Sequence, residues 1–139
     1  MKLVVDASVA VAWTLPDETS RLADAVLAEI AQGGAMSPVF FKLEFANVLA
    51  MAVRRSRIDA GLRDRALEDF SALGFVYDNE GLDAAWTVMP KLAEKHRLSV
   101  YDACYLELAK RKSLPLATLD KNLSRAAHEA GVQIFEAVA

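Results

Sequence analysis

The sequence predicts a single α/β domain in which a short parallel sheet carries helices on both faces. Short apolar runs such as Leu3-Val4-Val5 alternate with segments whose apolar residues recur at helical spacing. That alternation is the pattern of a parallel sheet covered on both sides. The chain has 139 residues, 54% of them hydrophobic and 25% charged, which supplies one core and excludes disorder. No Gly/Ser linker, repeat or low-complexity tract divides it, so residues 1–139 are expected to form one domain.

In chain order, Leu3-Val4-Val5 reads as a buried strand ending at Asp6. A short helix follows over 7–15 and stops at Pro16. Leu22, Val26 and Ile30 share one face of a second helix, expected over 17–32 and ended by Gly33-Gly34. A brief strand over 35–38 leads to a helix over 40–55 that is apolar nearly all round, hence central or packed on another subunit. Ile58, Leu62, Ala66 and Phe70 mark a helix over 58–73, and Phe75-Val76-Tyr77 a third strand. A helix over 81–96 contains Pro90, which should kink or split it. Ser99 opens a helix to about residue 112, then come a strand over 114–118, a helix over 121–130 and a last strand over 132–135.

Sixteen Lys and Arg against nineteen Asp and Glu leave a net charge of −3, which argues against binding nucleic acid by bulk positive charge. Cys104 alone excludes an internal disulfide framework, and with only His96 and His128 beside it a zinc site is not expected. The opening apolar run is cut by Asp6, unlike a signal peptide, and the uncharged stretch 7–16 is about half a membrane span. A soluble, cytoplasmic protein is the expectation.

Four acids stand out, each with an ordinary alternative. Asp6 lies where the first strand gives way to a helix, and capping that helix would explain it. Glu44 interrupts an almost wholly apolar helix, where a charge costs several kcal/mol unless paired or metal-bound, and an ion pair with a nearby Arg or Lys or a solvent-facing position would explain it. Asn47, one turn on, shares its face. Ser99 and Asp102 match a capping box, and Asp120 is placed to cap the helix at Lys121. In an open parallel sheet, however, ligands bind beyond the carboxyl ends of the strands where chain order reverses. If the first and fourth strands are neighbours, Asp6, Asp102 and Asp120 meet there, with Glu44 in reach. Two charges about 4 Å apart repel by roughly 4 kcal/mol at an effective dielectric near 20, so such a cluster calls for a cation. Oxygen ligands without His or Cys suit Mg²⁺ or Mn²⁺, the ions that serve phosphodiester hydrolysis. Ser8 and Thr118 are candidate hydroxyls to orient the acids, with local turn or capping duty as the alternative.

Taken together, Leu3 to Ser8, the Glu44 helix with Asn47, Leu98 to Ala103 and Leu116 to Asp120 resemble, in order, the motifs of the PIN-domain family. The length resembles the VapC-type toxins of toxin–antitoxin pairs. The resemblance implies a Rossmann-like three-layer α/β/α sandwich and a Mg²⁺- or Mn²⁺-dependent endoribonuclease. It implies metal-ligand roles for Asp6, Glu44, Asp102 and Asp120, a homodimer, and a cognate antitoxin that blocks the site. Relatives often carry a further acid two positions after the fourth. Here Asn122 stands there, so one tight ion is expected, with a second arriving with substrate.

Three cationic groups offer phosphate contacts: Arg54, Arg55 and Arg57; Lys110, Arg111 and Lys112; and Lys121 with Arg125. Each also reads as the solvated end or face of a helix. Lys121 and Arg125 directly follow Asp120 and are the better candidates. Two rival functions remain open. A phosphatase or phosphoacceptor domain is disfavoured by Asp6-Ala7-Ser8, which lacks a paired Asp. A catalytically silent interaction module would use the same acids only as caps.

Overall fold

A computed structural model describes residues 3–18 and 20–137. It contains four short parallel strands: β1 (Val4–Val5), β2 (Ala35–Pro38), β3 (Phe75–Asp78) and β4 (Leu116–Ala117). Seven α-helices connect and cover them: α1 (Ala7–Thr14), α2 (Arg21–Gly33), α3 (Phe41–Arg54), α4 (Ala60–Ser71), α5 (Val88–His96), α6 (Val100–Lys112) and α7 (Lys121–Glu129). The strand order is β3-β2-β1-β4. The chain therefore steps outward from β1 through β2 to β3, then returns to lay β4 on the other side of β1. The reversal lies between β1 and β4, where Val4 pairs with Leu116 and Val5 with Ala117.

The pleat divides the core into two layers. Val4, Met36 and Leu116 join the packing of α3, α6 and α7 on one face. Leu3, Val5, Ala35 and Ala117 pack against Val26 and Ile30 of α2 on the other. The result is the expected three-layer α/β/α sandwich. Buried on both faces, β1 and β4 are apolar throughout rather than alternating, whereas the edge strand β3 leaves Val76 exposed. The one buried hydroxyl of β2, Ser37, donates to the Val5 carbonyl and so ties β2 to β1.

Several boundaries differ from expectation. The second helix starts at Arg21, with Ser20 accepting from the Ala23 amide as its cap. Thr19, inside the expected span, lies outside the described residues, as do Met1, Lys2, Val138 and Ala139. The expected helix over 81–96 is a 3₁₀ turn (Glu80–Ala84) followed by α5. The break falls at 85–87, ahead of Pro90, which occupies the first turn of α5, where no intrahelical amide bond is lost. The expected last strand shrinks to one bridge, Leu116 to Ile134. Helix α3 buries Phe41, Phe45, Leu49 and Ala52 but leaves Leu43 three-quarters exposed.

Because Leu49 is fully buried in the helix that carries Glu44, its truncation tests how firmly that helix is seated. Leu49→Ala should destabilise the protein by about 2–5 kcal/mol in urea unfolding. A loss below ~1 kcal/mol would show that α3 is not held by this packing.

Candidate functional site

The carboxyl ends of β1 and β4 present their acids side by side. Asp6 leaves β1 with only 6% of its surface exposed. Its side chain does not cap α1. Its Oδ2 instead accepts from the Ser8 hydroxyl at 2.7 Å and from the Thr118 hydroxyl at 2.8 Å. Each hydroxyl also accepts a backbone amide: Leu119 N–H donates to Ser8 Oγ and Asp120 N–H to Thr118 Oγ1, both at 3.0 Å. Ser8 and Thr118 thus latch the exit of β1 to the exit of β4 and fix the orientation of Asp6 between them.

Asp120 caps α7, as its position before Lys121 predicts: its Oδ1 accepts from the Asn122 and Leu123 amides. Ser99 caps α6 by accepting from the Asp102 amide at 3.1 Å, which faces the Asp102 carboxylate from the first helical turn. Glu44 sits in the first turn of α3, and its Oε1 accepts from the Tyr105 hydroxyl at 2.8 Å. Tyr105 was not singled out by sequence reasoning. It lies three residues after Asp102 within an apolar run, where its ring reads as core, and the ring is indeed fully buried.

The electrostatics of the four acids are mutual. Burial raises the Asp6 pKa above the ordinary carboxylate range, opposed by the two hydroxyls and assisted by Asp120. Burial likewise raises Glu44, with Asp6 and Asp102 adding to it against the Tyr105 hydroxyl. Asp102 rises to about 6 through partial burial and the charges of Asp6 and Asp120. Among the described residues, no Lys or Arg forms an ion pair with any of these four.

Asp78 shows what a structural acid looks like in the same fold. It ends β3, is 8% exposed, and would also be raised by burial. Arg111 donates to both of its oxygens, at 3.1 and 2.7 Å, and its net pKa falls below the usual range. Asp6 exposes as little surface and lacks the guanidinium.

An all-oxygen donor set around a buried, uncompensated carboxylate fits a hard divalent cation. As they stand, no three acids among the described residues are gathered into a ready ligand set. They are close enough to perturb one another and free of any cation that would draw them together. Two apolar clefts, of about 420 and 290 Å³, flank α4, but none of the four acids lines either of them.

The remaining candidates divide. Asn47 is exposed on the Glu44 helix. Asn122 points its amide at the α5–α6 turn, donating to the Arg97 carbonyl at 3.1 Å and accepting from Arg125 Nη2 at 2.6 Å. Arg125 is also engaged internally, donating to Glu129 at 2.8 Å and to the His96 carbonyl at 2.7 Å. Both side chains therefore bind α7 to the left-handed turn at Arg97 that precedes Asp102. Arg111 is held by Asp78, Glu80 and Glu107, and Arg57 by Asp17 and Glu18. Lys121 remains exposed at the start of α7.

Comparison with known proteins gives the family of the fold. The PIN domain profile matches residues 3–129. Ribonuclease VapC3 of Pyrobaculum aerophilum is 34% identical over 128 residues, covering 89% of this chain and 93% of that protein. The chain belongs to the PIN-domain family, and within it to the VapC type. Ribonuclease VapC3 of Mycobacterium tuberculosis is 31% identical to this PIN domain over 129 residues, covering 90% and 87% of the two chains. Among solved structures, PAE2754 from Pyrobaculum aerophilum superposes with a TM-score of 0.67 at 22% identity, covering 91% of this chain and 86% of that one. FitAcB from Neisseria gonorrhoeae gives 0.66 at 17% identity, covering 96% of both. Both share the fold of this PIN domain.

The raised acid at position 102 carries a stability consequence. Its pKa is about 6 in the folded metal-free protein against 3.8 when unexposed to these neighbours, so the native state holds the proton more tightly. Stability from this group is present below pH 4 and is lost as pH rises from about 4 to 6. Asp102→Asn should therefore raise the metal-free melting temperature at pH 7.5 relative to the native protein and change it little at pH 4. A variant that melts lower at pH 7.5 would show that the carboxylate is stabilised by neighbours rather than repelled.

Proposed function

We propose that this PIN domain is a divalent-metal-dependent endoribonuclease, the toxin of a toxin–antitoxin pair, with Mg²⁺ or Mn²⁺ held by Asp6, Glu44, Asp102 and Asp120. The observation that carries this reading is Asp6 buried at the β1/β4 reversal, within electrostatic reach of Glu44, Asp102 and Asp120 and with no ion-paired Lys or Arg on any of the four among the described residues. The ribonuclease names of the VapC3 relatives supply the substrate class. A bound ion supplies Lewis acidity, activating water and offsetting charge on the phosphodiester.

The chain's own residues prepare that site. Ser8 and Thr118 orient Asp6 and leave its other oxygen, Oδ1, without a hydroxyl donor. Tyr105 fixes one oxygen of Glu44 and leaves the second open. Asp120 gives one oxygen to the α7 cap and keeps Oδ2 for a ligand. Asp102, near 6 without an ion, is mostly ionised at neutral pH and offers its carboxylate at the helix start. Asn122 adds no charge, and its amide is already bonded to Arg97 and Arg125. That favours one tightly held ion, with any second one entering alongside the phosphate.

An antitoxin partner, a homodimeric state and a cytoplasmic location belong to the same proposal, the first supported by the VapC naming of the relatives. No helix among the described residues is long and apolar enough to cross a membrane. Lys121 is the cation best placed to meet phosphate from the site's edge.

Protein freed of co-purifying partners should cleave single-stranded RNA with Mg²⁺ or Mn²⁺ and stop with EDTA. Asp6→Asn, Glu44→Gln and Asp102→Asn should each lower kcat by about a hundredfold or more while preserving the far-UV circular dichroism of the native fold. Undiminished cleavage in all three, or cleavage indifferent to EDTA, would end the proposal and leave the interaction-module reading.

A further inference from the structure

The rim beside the acids carries exposed apolar side chains, one of them aromatic. Tyr101, immediately before Asp102, is 63% exposed, and Leu43, immediately before Glu44, is 75% exposed. The Tyr101 ring meets Phe40 nearly edge-on with centroids 5.6 Å apart, and Phe40 meets Tyr105 in the same manner at 5.6 Å. Tyr101 and Tyr105 are four residues apart on α6, while Phe40 and Glu44 are four apart at the start of α3. The Phe40–Tyr101 contact therefore lies one helical turn, about 5.4 Å along the axis, from the hydrogen bond between Tyr105 and Glu44. The outer ring is braced by the inner one and open to solvent elsewhere.

Charge narrows what this ledge is for. The chain is net negative, the four acids are unpaired, and Arg57, Arg111 and Arg125 are held by acids of their own. With Lys121 exposed at the site's edge but these arginines engaged, a polyanion approaching this edge gains from attraction that does not come from cations. Stacking on an aromatic ring is such an attraction, and it accepts any base because every base has a π-face. A held ring also loses little freedom when a base covers it.

We propose that Tyr101, seated on Phe40, is a stacking platform for a nucleobase of single-stranded RNA whose neighbouring phosphodiester lies at Glu44 and Asp102. This inference rests on the ribonuclease reading above. It makes Tyr101 a substrate-binding residue that positions the strand without selecting its sequence.

Steady-state cleavage of a short unstructured oligoribonucleotide by the full chain with Mg²⁺ or Mn²⁺ tests it. Tyr101→Ala and Tyr101→Leu should raise KM between about fivefold and a hundredfold with kcat changed far less, and Tyr101→Phe should stay within about twofold of native. On an oligonucleotide made abasic beside the cleaved bond, the penalty of Tyr101→Leu should disappear, as a double-mutant cycle requires for a direct contact. If Tyr101→Leu keeps the native KM while RNA is still cut, the platform is refuted and the nuclease reading stands. Loss of binding to a partner protein by Tyr101→Leu with RNA affinity intact would refute it equally and give the ledge to that partner. If the native protein cuts no RNA with either ion, both readings fall together.

Discussion

Asp6 is a carboxylate shut away from water at the end of the central strand with two hydroxyls for company and no cation, and the surrounding structure is organised by that constraint. A buried charge without a partner is expensive, and three more acids within electrostatic reach increase the cost. The same fold solves the same problem differently at the end of β3, where Arg111 neutralises Asp78. Of these two acids with little exposed surface at strand ends, Asp78 has its charge neutralised by a guanidinium, while Asp6 has hydrogen-bond donors but no cation. The acid without a cation stands at the reversal of strand order, where open parallel sheets place their ligands.

Helix α6 does much of the organising. From its first turn it presents Asp102; one turn later Tyr105 reaches Glu44; near its end Arg111 binds Asp78, Glu80 and Glu107. Its face against β1 and β4 is deeply buried, so these side chains start from a rigid base. On the far side of the site, α7 holds the turn before α6 through Asn122 and Arg125, which satisfy the His96 and Arg97 carbonyls left free at the end of α5. The helices bearing Asp102 and Asp120 are thereby tied together without using either acid.

Much of this was legible in the sequence because it rests on local signals. The Val-Val-Asp strand exit, the Ser99 cap and the stops at Pro16 and Gly34 are each set by neighbouring residues, and the alternation of strand and helix gave the layered fold. The convergence of Asp6 with Asp120 was readable only on the condition that β1 and β4 pair, and they do. What escaped depends on contacts distant in sequence. Tyr105 looks like core until α3 brings Glu44 to its hydroxyl, 61 residues away. Arg125 and Asn122 look available until the turn at Arg97 is placed against them. The strand expected over 132–135 fails because only one bridge to Leu116 forms there, although the run itself is apolar. Arg111 read as a helix-end cation because nothing local points to Asp78.

Direct calorimetric titration of Mn²⁺ into metal-free protein near pH 6 tests the central claim, that the acid cluster is incomplete without a divalent ion. One tight site is expected, with proton release detectable by changing the buffer's ionisation enthalpy, and with binding abolished in Asp6→Asn. Absence of binding heat in the native chain, or equal binding in Asp6→Asn, would contradict it.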